Sequence, residues 1–265
     1  VALDIDNIAG LGGQTVAIPF WYSIHNVVLQ KILREHGLKV VEKNPQAGEV
    51  KLSVMAPSDM VAALANRAIA GFIVAEPFNA VAEAKGVGKV LRFSGDVWRD
   101  HACCVTLMQE HDIARRPEWV QNVVSALVEG QAWAAGHRAD TALMLSKQGP
   151  HKYTPHEDKV LQNVLAPAPE AWARYTESGI IRHPEWHQRR IDFQPYPYPS
   201  YTEKLVEMLK ETHIAGVNRF LDELSPQHVA QDLVDARFVK QAVEAGQFQQ
   251  LFGLNGWTRE EMIAV

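Results

Sequence analysis

Three times between residues 15 and 85 a short apolar run ends in a polar turn and gives way to a helical pattern, and that alternation confines this part of the chain to a mostly parallel α/β sheet with covering helices. Thr15 to Pro19 is followed by Phe20, Trp21, Tyr22 and Ser23, the last a good N-cap for the amphipathic run from Ile24 to His36. Val50 to Met55 leads into Ala56-Pro57-Ser58-Asp59, where Ser58 or Asp59 is expected to cap a helix from Met60 to Arg67. Gly71 to Ala75 stops at Glu76-Pro77, with the proline expected at the first helical position. If these strands are parallel neighbours, their three turns line one crevice, at the edge where open α/β sheets place ligands. The same turns also serve as plain connections that bind nothing.

The rhythm continues with strands expected near 38–42 and 88–93 and a helix over 77–85, punctuated by Gly37, Gly86 and Gly88. After Phe93 the character changes. Ser94 to His101 reads as a polar loop and Ala102 to Met108 as a strand. Helices are expected at 117–135, 138–148, 157–165, 169–178, 200–211 and 227–245, the last broken near Ala236. The stretch from Phe193 to Tyr201, rich in Pro and Tyr, either lids a cleft or clamps two helices. These boundaries suggest a linker over 1–9, an α/β lobe over 10–100, and a second, helix-rich lobe with one visible strand over 101–265.

The candidate site residues gather at the turns. Trp21, Tyr22, Ser23 and His25 form a helix mouth in which two rings make an apolar wall and Ser23 with backbone amides takes a polar group. Glu76 closes a buried strand and either meets a ligand or favours the helix dipole. Asn79, one turn on, faces the crevice or solvent; Ser58, Asp59, Phe78 and Trp98 complete the set. Cys103 and Cys104 are adjacent, so in a strand they point to opposite faces, which suits buried thiols better than a metal site. His151, His156, His183 and His187 lie in loops without a helical ligand pair and read as surface residues. No nucleophile elbow, phosphate loop or dinucleotide fingerprint occurs, and no cofactor or metal is expected.

Composition narrows the classes. The 265 residues are 47% apolar and 22% charged, enough for a substantial core, and the net charge of −5 without a basic cluster argues against nucleic-acid binding. No apolar run approaches the roughly 20 residues of a membrane span. The first residues lack the basic start and apolar stretch of a signal peptide.

With these residues in view, the chain resembles the NMT1/THI5-like group of periplasmic solute-binding proteins, relatives of the nitrate, bicarbonate, sulfonate and taurine receptors of ABC importers. The resemblance rests on 13–19 with Tyr22-Ser-Ile-His-Asn26, on Met55-Ala-Pro-Ser-Asp-Met60, on Ala75-Glu-Pro-Phe-Asn79, on Asp96-Val-Trp98 leading to His101-Ala-Cys-Cys104, and on Arg116-Pro-Glu-Trp119. It implies a type II periplasmic-binding-protein-like α/β fold of two lobes, with a helix-rich C-terminal half, in which the chain begins near the crossing into lobe two and the opening part of lobe one is lacking. It also implies a periplasmic or exported receptor, without catalysis, whose partners are a small organic solute or oxyanion and the importer's membrane subunits. Two rivals remain. One is an enzyme of the thiamine-pyrimidine synthase or sulfinate-cleaving kind, and the other a ligand-sensing domain. Because the three turns carry Asp59 and Glu76 but no Lys or Arg, the expected solute has a flat or apolar body and a hydrogen-bonding or cationic head.

Overall fold

In the computed structural model, residues 1–186 and 189–264 are described. The chain runs β1 (Thr15–Ile18), α1 (Ile24–Glu35), β2 (Lys39–Val41), β3 (Glu49–Val54), α2 (Pro57–Ala65), β4 (Gly71–Phe72) and α3 (Phe78–Ala84). There follow α4 (Glu110–Arg115), α5 (Pro117–Gly136), α6 (Arg138–Leu145), α7 (Asp158–Leu165), α8 (Pro169–Glu177), α9 (Pro199–Lys210), α10 (Phe220–Glu223), α11 (Pro226–Leu233) and α12 (Arg237–Ala245). The sheet is parallel throughout, in the order β2-β3-β1-β4.

Central β1 is a continuous apolar run because both faces are covered: Val16, Ala17 and Ile18 are all buried. In β3 the buried Val50 and Leu52 alternate with the half-exposed Lys51 and Ser53. Helix α1 buries Ile24, Val27, Val28 and Ile32 on one face. It stops where Gly37 takes φ +71. Gly12 is required for closeness, since a Cβ there would lie 1.8 Å from the Ala47 carbonyl oxygen. The main core gathers the sheet with α1 and α2, and Met208, Tyr201, Leu205 and Leu209 of α9 join it from far along the chain. Packing therefore crosses the boundary expected at residue 100.

The helical half is assembled from pairs: α5 on α12, α6 on α7, and α9 on α11. Prolines open α5, α8, α9 and α11, where their missing N–H costs no helical bond. Tyr196 and Tyr198 are buried with Val128 of α5 and Val239 and Val243 of α12, so the aromatic loop clamps helices. The C-terminal segment returns to the start of this half, where Ile263 bridges Trp98 antiparallel.

Several expectations are corrected. Ala56 is the N-cap of α2 and makes no side-chain cap bond, while Ser58 and Asp59 lie exposed in the first turn, because Pro57 already occupies the first helical position. Pro77 is the N-cap of α3, not its first residue. β4 is two residues long: beyond the bond from Ile73 N to Ala17 O the ladder stops, and the Val74 carbonyl is taken by the Asn79 side chain at 2.8 Å. Residues 88–93 and 102–108 form no regular strand, since neither has a ladder partner among the described residues; Val105 and Leu107 stay 66% and 86% exposed. No helix among the described residues is long and apolar enough to cross a membrane.

Candidate functional site

Strands β3, β1 and β4 end side by side, with Ile18 opposite Val54 and Ala17 opposite Phe72. Their parallel neighbourhood puts the turns that follow them on one sheet edge, with β1 as the point where the order reverses between a neighbour later in the chain on one side and another on the other. This edge carries Trp21 to His25, Ser58 with Asp59, and Glu76 to Asn79.

The mouth of α1 is built from local hydrogen bonds. Ser23 Oγ donates to the Phe20 carbonyl at 2.7 Å and accepts from Asn26 N at 3.2 Å, capping the helix as the sequence suggested. Buried Asn26 donates to the Trp21 carbonyl at 2.6 Å and accepts from Gln30, whose amide exchanges two 2.8 Å bonds with the backbone of His213. Two polar residues at i and i+4 on an apolar helix face were the available signal for this ladder. The Trp21 ring meets His213 edge-on, and Tyr22 lies between Phe20 and the half-exposed Phe220. Both rings are half-buried, Trp21 packed against the main core and Tyr22 among its aromatic neighbours.

His25, which had no visible partner in the sequence, is 9% exposed with Nε2 3.8 Å from Cys103 Sγ. The thiols depart from expectation. The backbone bends at Cys103, both cysteines are exposed, and their sulfurs lie 3.9 Å apart without a bond, because no strand holds them to opposite faces. Burial of its sulfur side, then the neighbouring Cys104, pushes the Cys103 thiol up to about 12. Burial, then nearby His101, pulls His25 down to about 4. Both groups are neutral near pH 7.

The His25 shift has a stability consequence. Between its ordinary value of 6.5 and about 4 the unfolded chain takes up a proton that the folded chain refuses, so stability is full above pH 6.5 and falls on acidification toward pH 4. The loss amounts to up to about 3 kcal/mol. His101, also depressed by burial, acts in the same sense. Urea midpoints measured across this window are expected to flatten in His25→Gln; an unchanged acid slope would contradict the assignment.

Glu76 does not stand free. Its side chain is 7% exposed; Oε1 accepts from Arg190 Nε at 2.8 Å and Oε2 from Ala80 N at 3.1 Å. Arg190, 3% exposed, reaches Glu83 with Nη2 at 2.7 Å, Tyr175 donates to Glu83 at 2.7 Å, and the guanidinium lies over Phe93. Burial pushes the Glu76 carboxyl up while Arg190 opposes it. Burial alone would lower Arg190, yet Glu76 and Glu83 outweigh it and hold the guanidinium firmly protonated.

The remaining candidates divide. Ser58 and Asp59 are exposed, 3.4 Å apart, at the middle turn. Phe78 packs edge-on against His156 at 5.4 Å, and Asn79 is spent on Val74. Trp98 is fully buried, with its indole N–H on Glu261 at 2.7 Å and its ring on Tyr201, so it presents no surface to a solute in this conformation. Of the loop histidines, His151 is exposed, His183 stacks on Trp186, and His187 lies outside the described residues. Among the described residues no group of three or more His, Cys, Asp or Glu is arranged to hold a metal. Sequence reading missed Arg190, and it named Asp96 only within a motif; that buried carboxylate accepts from the backbone N–H of Arg182 and His183 at 2.8–3.1 Å and pairs with Arg92 at 2.6 Å.

Comparison with known proteins agrees with this architecture. The chain is 31% identical over 85 residues, 32% of its length and 19% of the relative's, to the nitrate/nitrite binding protein NrtA of Nostoc sp.. The crystal structure of the periplasmic nitrate-binding protein NrtA from Synechocystis PCC 6803 superimposes with a TM-score of 0.67 at 17% identity, covering 97% of this chain and 63% of that one. The zinc-bound ligand-binding component of an ABC-type import system from Staphylococcus aureus gives 0.62 at 19%, covering 89% and 67%. The chain thus has the fold of these two-lobe solute-binding proteins while spanning less than two thirds of the NrtA structure and about a fifth of the Nostoc relative. The NMT1-like family model matches residues 7–146, more than half of the sequence, and the chain belongs to that family.

Proposed function

We propose that this chain acts as a periplasmic or exported receptor that captures a small anion and delivers it to the membrane subunits of an ABC importer. Residues 10–100 would form lobe two and residues 101–265 the crossover segment and helical remainder of lobe one. The observation that carries the reading is the mouth of α1, a twelve-residue helix whose capped N-terminus, on the shared edge of the three turns, presents N–H groups beside neutral His25. The names of the relatives support it, since one is a nitrate/nitrite binding protein and another a component of an ABC-type import system. The expectation of a hydrogen-bonding or cationic head group rested on Asp59 and Glu76 in turns without Lys or Arg. Pairing with Arg190 neutralises one of these two carboxylates, and Asp59 stays exposed.

His25 and the backbone N–H groups at the start of α1 are the contacts proposed first, with Trp21 and Tyr22 beside them; Asp59, exposed across the edge with Ser58, repels an anion rather than holding it. Catalysis by a Cys–His pair is disfavoured by its protonation: with Cys103 near 12 and His25 near 4 the proton stays on sulfur, and no thiolate is available as nucleophile. A flat organic solute is favoured only by the half-buried rings at the mouth. Calorimetry with nitrate and with an aminopyrimidine separates the readings. If the anion reading holds, Glu76→Gln leaves nitrate binding nearly unchanged. If the head group is a donor on Glu76, aminopyrimidine binding weakens in that variant by about 1–3 kcal/mol.

A further inference from the structure

A cleft of about 450 Å3 opens in the helical half where the end of α7, helix α8 and the segment after it meet the first residue of α6, and none of its lining residues belongs to the three turns. Its volume lies within the roughly 300–1,000 Å3 of small-molecule sites. Leu165, Trp172, Ile181 and Pro184 make an apolar wall, and the two charged residues on its lining, Arg138 and Arg189, are both cations. They share one carboxylate: Asp192 Oδ1 lies 2.5 Å from Arg138 Nη2 and 3.7 Å from Arg189 Nη1. Arg138 is held in place, its side chain 13% exposed and Nη1 on the Ile191 carbonyl at 2.9 Å, yet its Nε is buried without a hydrogen-bond partner among the described residues. An excess of positive charge beside an apolar wall is the complement of one kind of molecule.

We infer that this cleft is a binding site for an amphiphilic monoanion, a carboxylate-type head on an alkyl or aryl body, distinct from the solute site at the turns. The head takes up the positive charge of Arg138 and Arg189, and the body lies against Trp172, Leu165 and Ile181. Arg138 also anchors the 191–193 segment, so its replacement risks the fold. Exposed Arg189 and half-buried Thr176, which lines the cleft, are the safer handles.

Calorimetry on the complete protein with octanoate, octanol and octylammonium tests the inference. Octanoate is expected to bind at one site, octanol at least about tenfold more weakly, and octylammonium without saturation. Arg189→Glu should weaken octanoate by about tenfold, Thr176→Trp should abolish binding by filling the cleft, and His25→Gln, at the other site, should leave it unchanged. Equal binding of octanol and octanoate, or octanoate binding that survives both Arg189→Glu and Thr176→Trp, would overturn it.

Discussion

Arg190→Met is expected to lower the unfolding free energy by about 3–5 kcal/mol, the cost of leaving buried charge without its partner. The Arg190 side chain is 3% exposed and lies between the carboxylates of Glu76 and Glu83, so its loss strands two like charges, one of them on a side chain 7% exposed. The size of the effect comes from that stranding more than from the worth of the pair itself. Adding Glu76→Gln and Glu83→Gln should therefore recover much of the loss, which a simple packing defect at the substituted position would not allow. Urea unfolding of the single and triple variants measures both numbers.

A loss of similar size is expected for Asp96→Ala. The carboxylate is fully buried, and without it Arg92, its side chain 6% exposed, loses the carboxylate it pairs with, while the N–H groups of Arg182 and His183 lose their acceptor. At about 1–3 kcal/mol for each unmet group, the variant should lose at least about 3 kcal/mol, and amide exchange at 182 and 183 should accelerate before the rest of the chain opens. Asp96→Asn keeps an acceptor for the backbone groups and should fall between the two. Slow exchange at 182 and 183 in Asp96→Ala would mean that the loop is held by something else.

What the sequence made legible, and what it hid, follows from the range of the interactions. Helices α5, α8, α9 and α11 were readable because a proline at the first position and an apolar face are local signals. The break near Ala236 separates α11 from α12. Strands expected at 88–93 and 102–108 were misread because an apolar run becomes a strand only when another strand pairs with it, and no local pattern reports the partner. The mouth of α1 was placed correctly from Ser23 and its neighbours. The partner of Glu76 was not legible, since Arg190 stands 114 residues away and nothing in its own segment points back. The Cys103–His25 contact, 78 residues apart, was hidden in the same way.

The central claim is that the edge shared by the three turns takes an anion at the N-terminus of α1, with His25 beside it. The measurement that tests it most directly is a calorimetric titration of the complete protein with nitrate, bicarbonate and methanesulfonate in turn, repeated at two pH values. At least one anion should saturate a single site. Binding should tighten as the pH falls, because an anion favours the protonated His25 that burial otherwise suppresses, and His25→Ala should weaken it by at least about tenfold. Absence of binding by all three anions, or binding that is indifferent both to pH and to His25→Ala, would contradict the account.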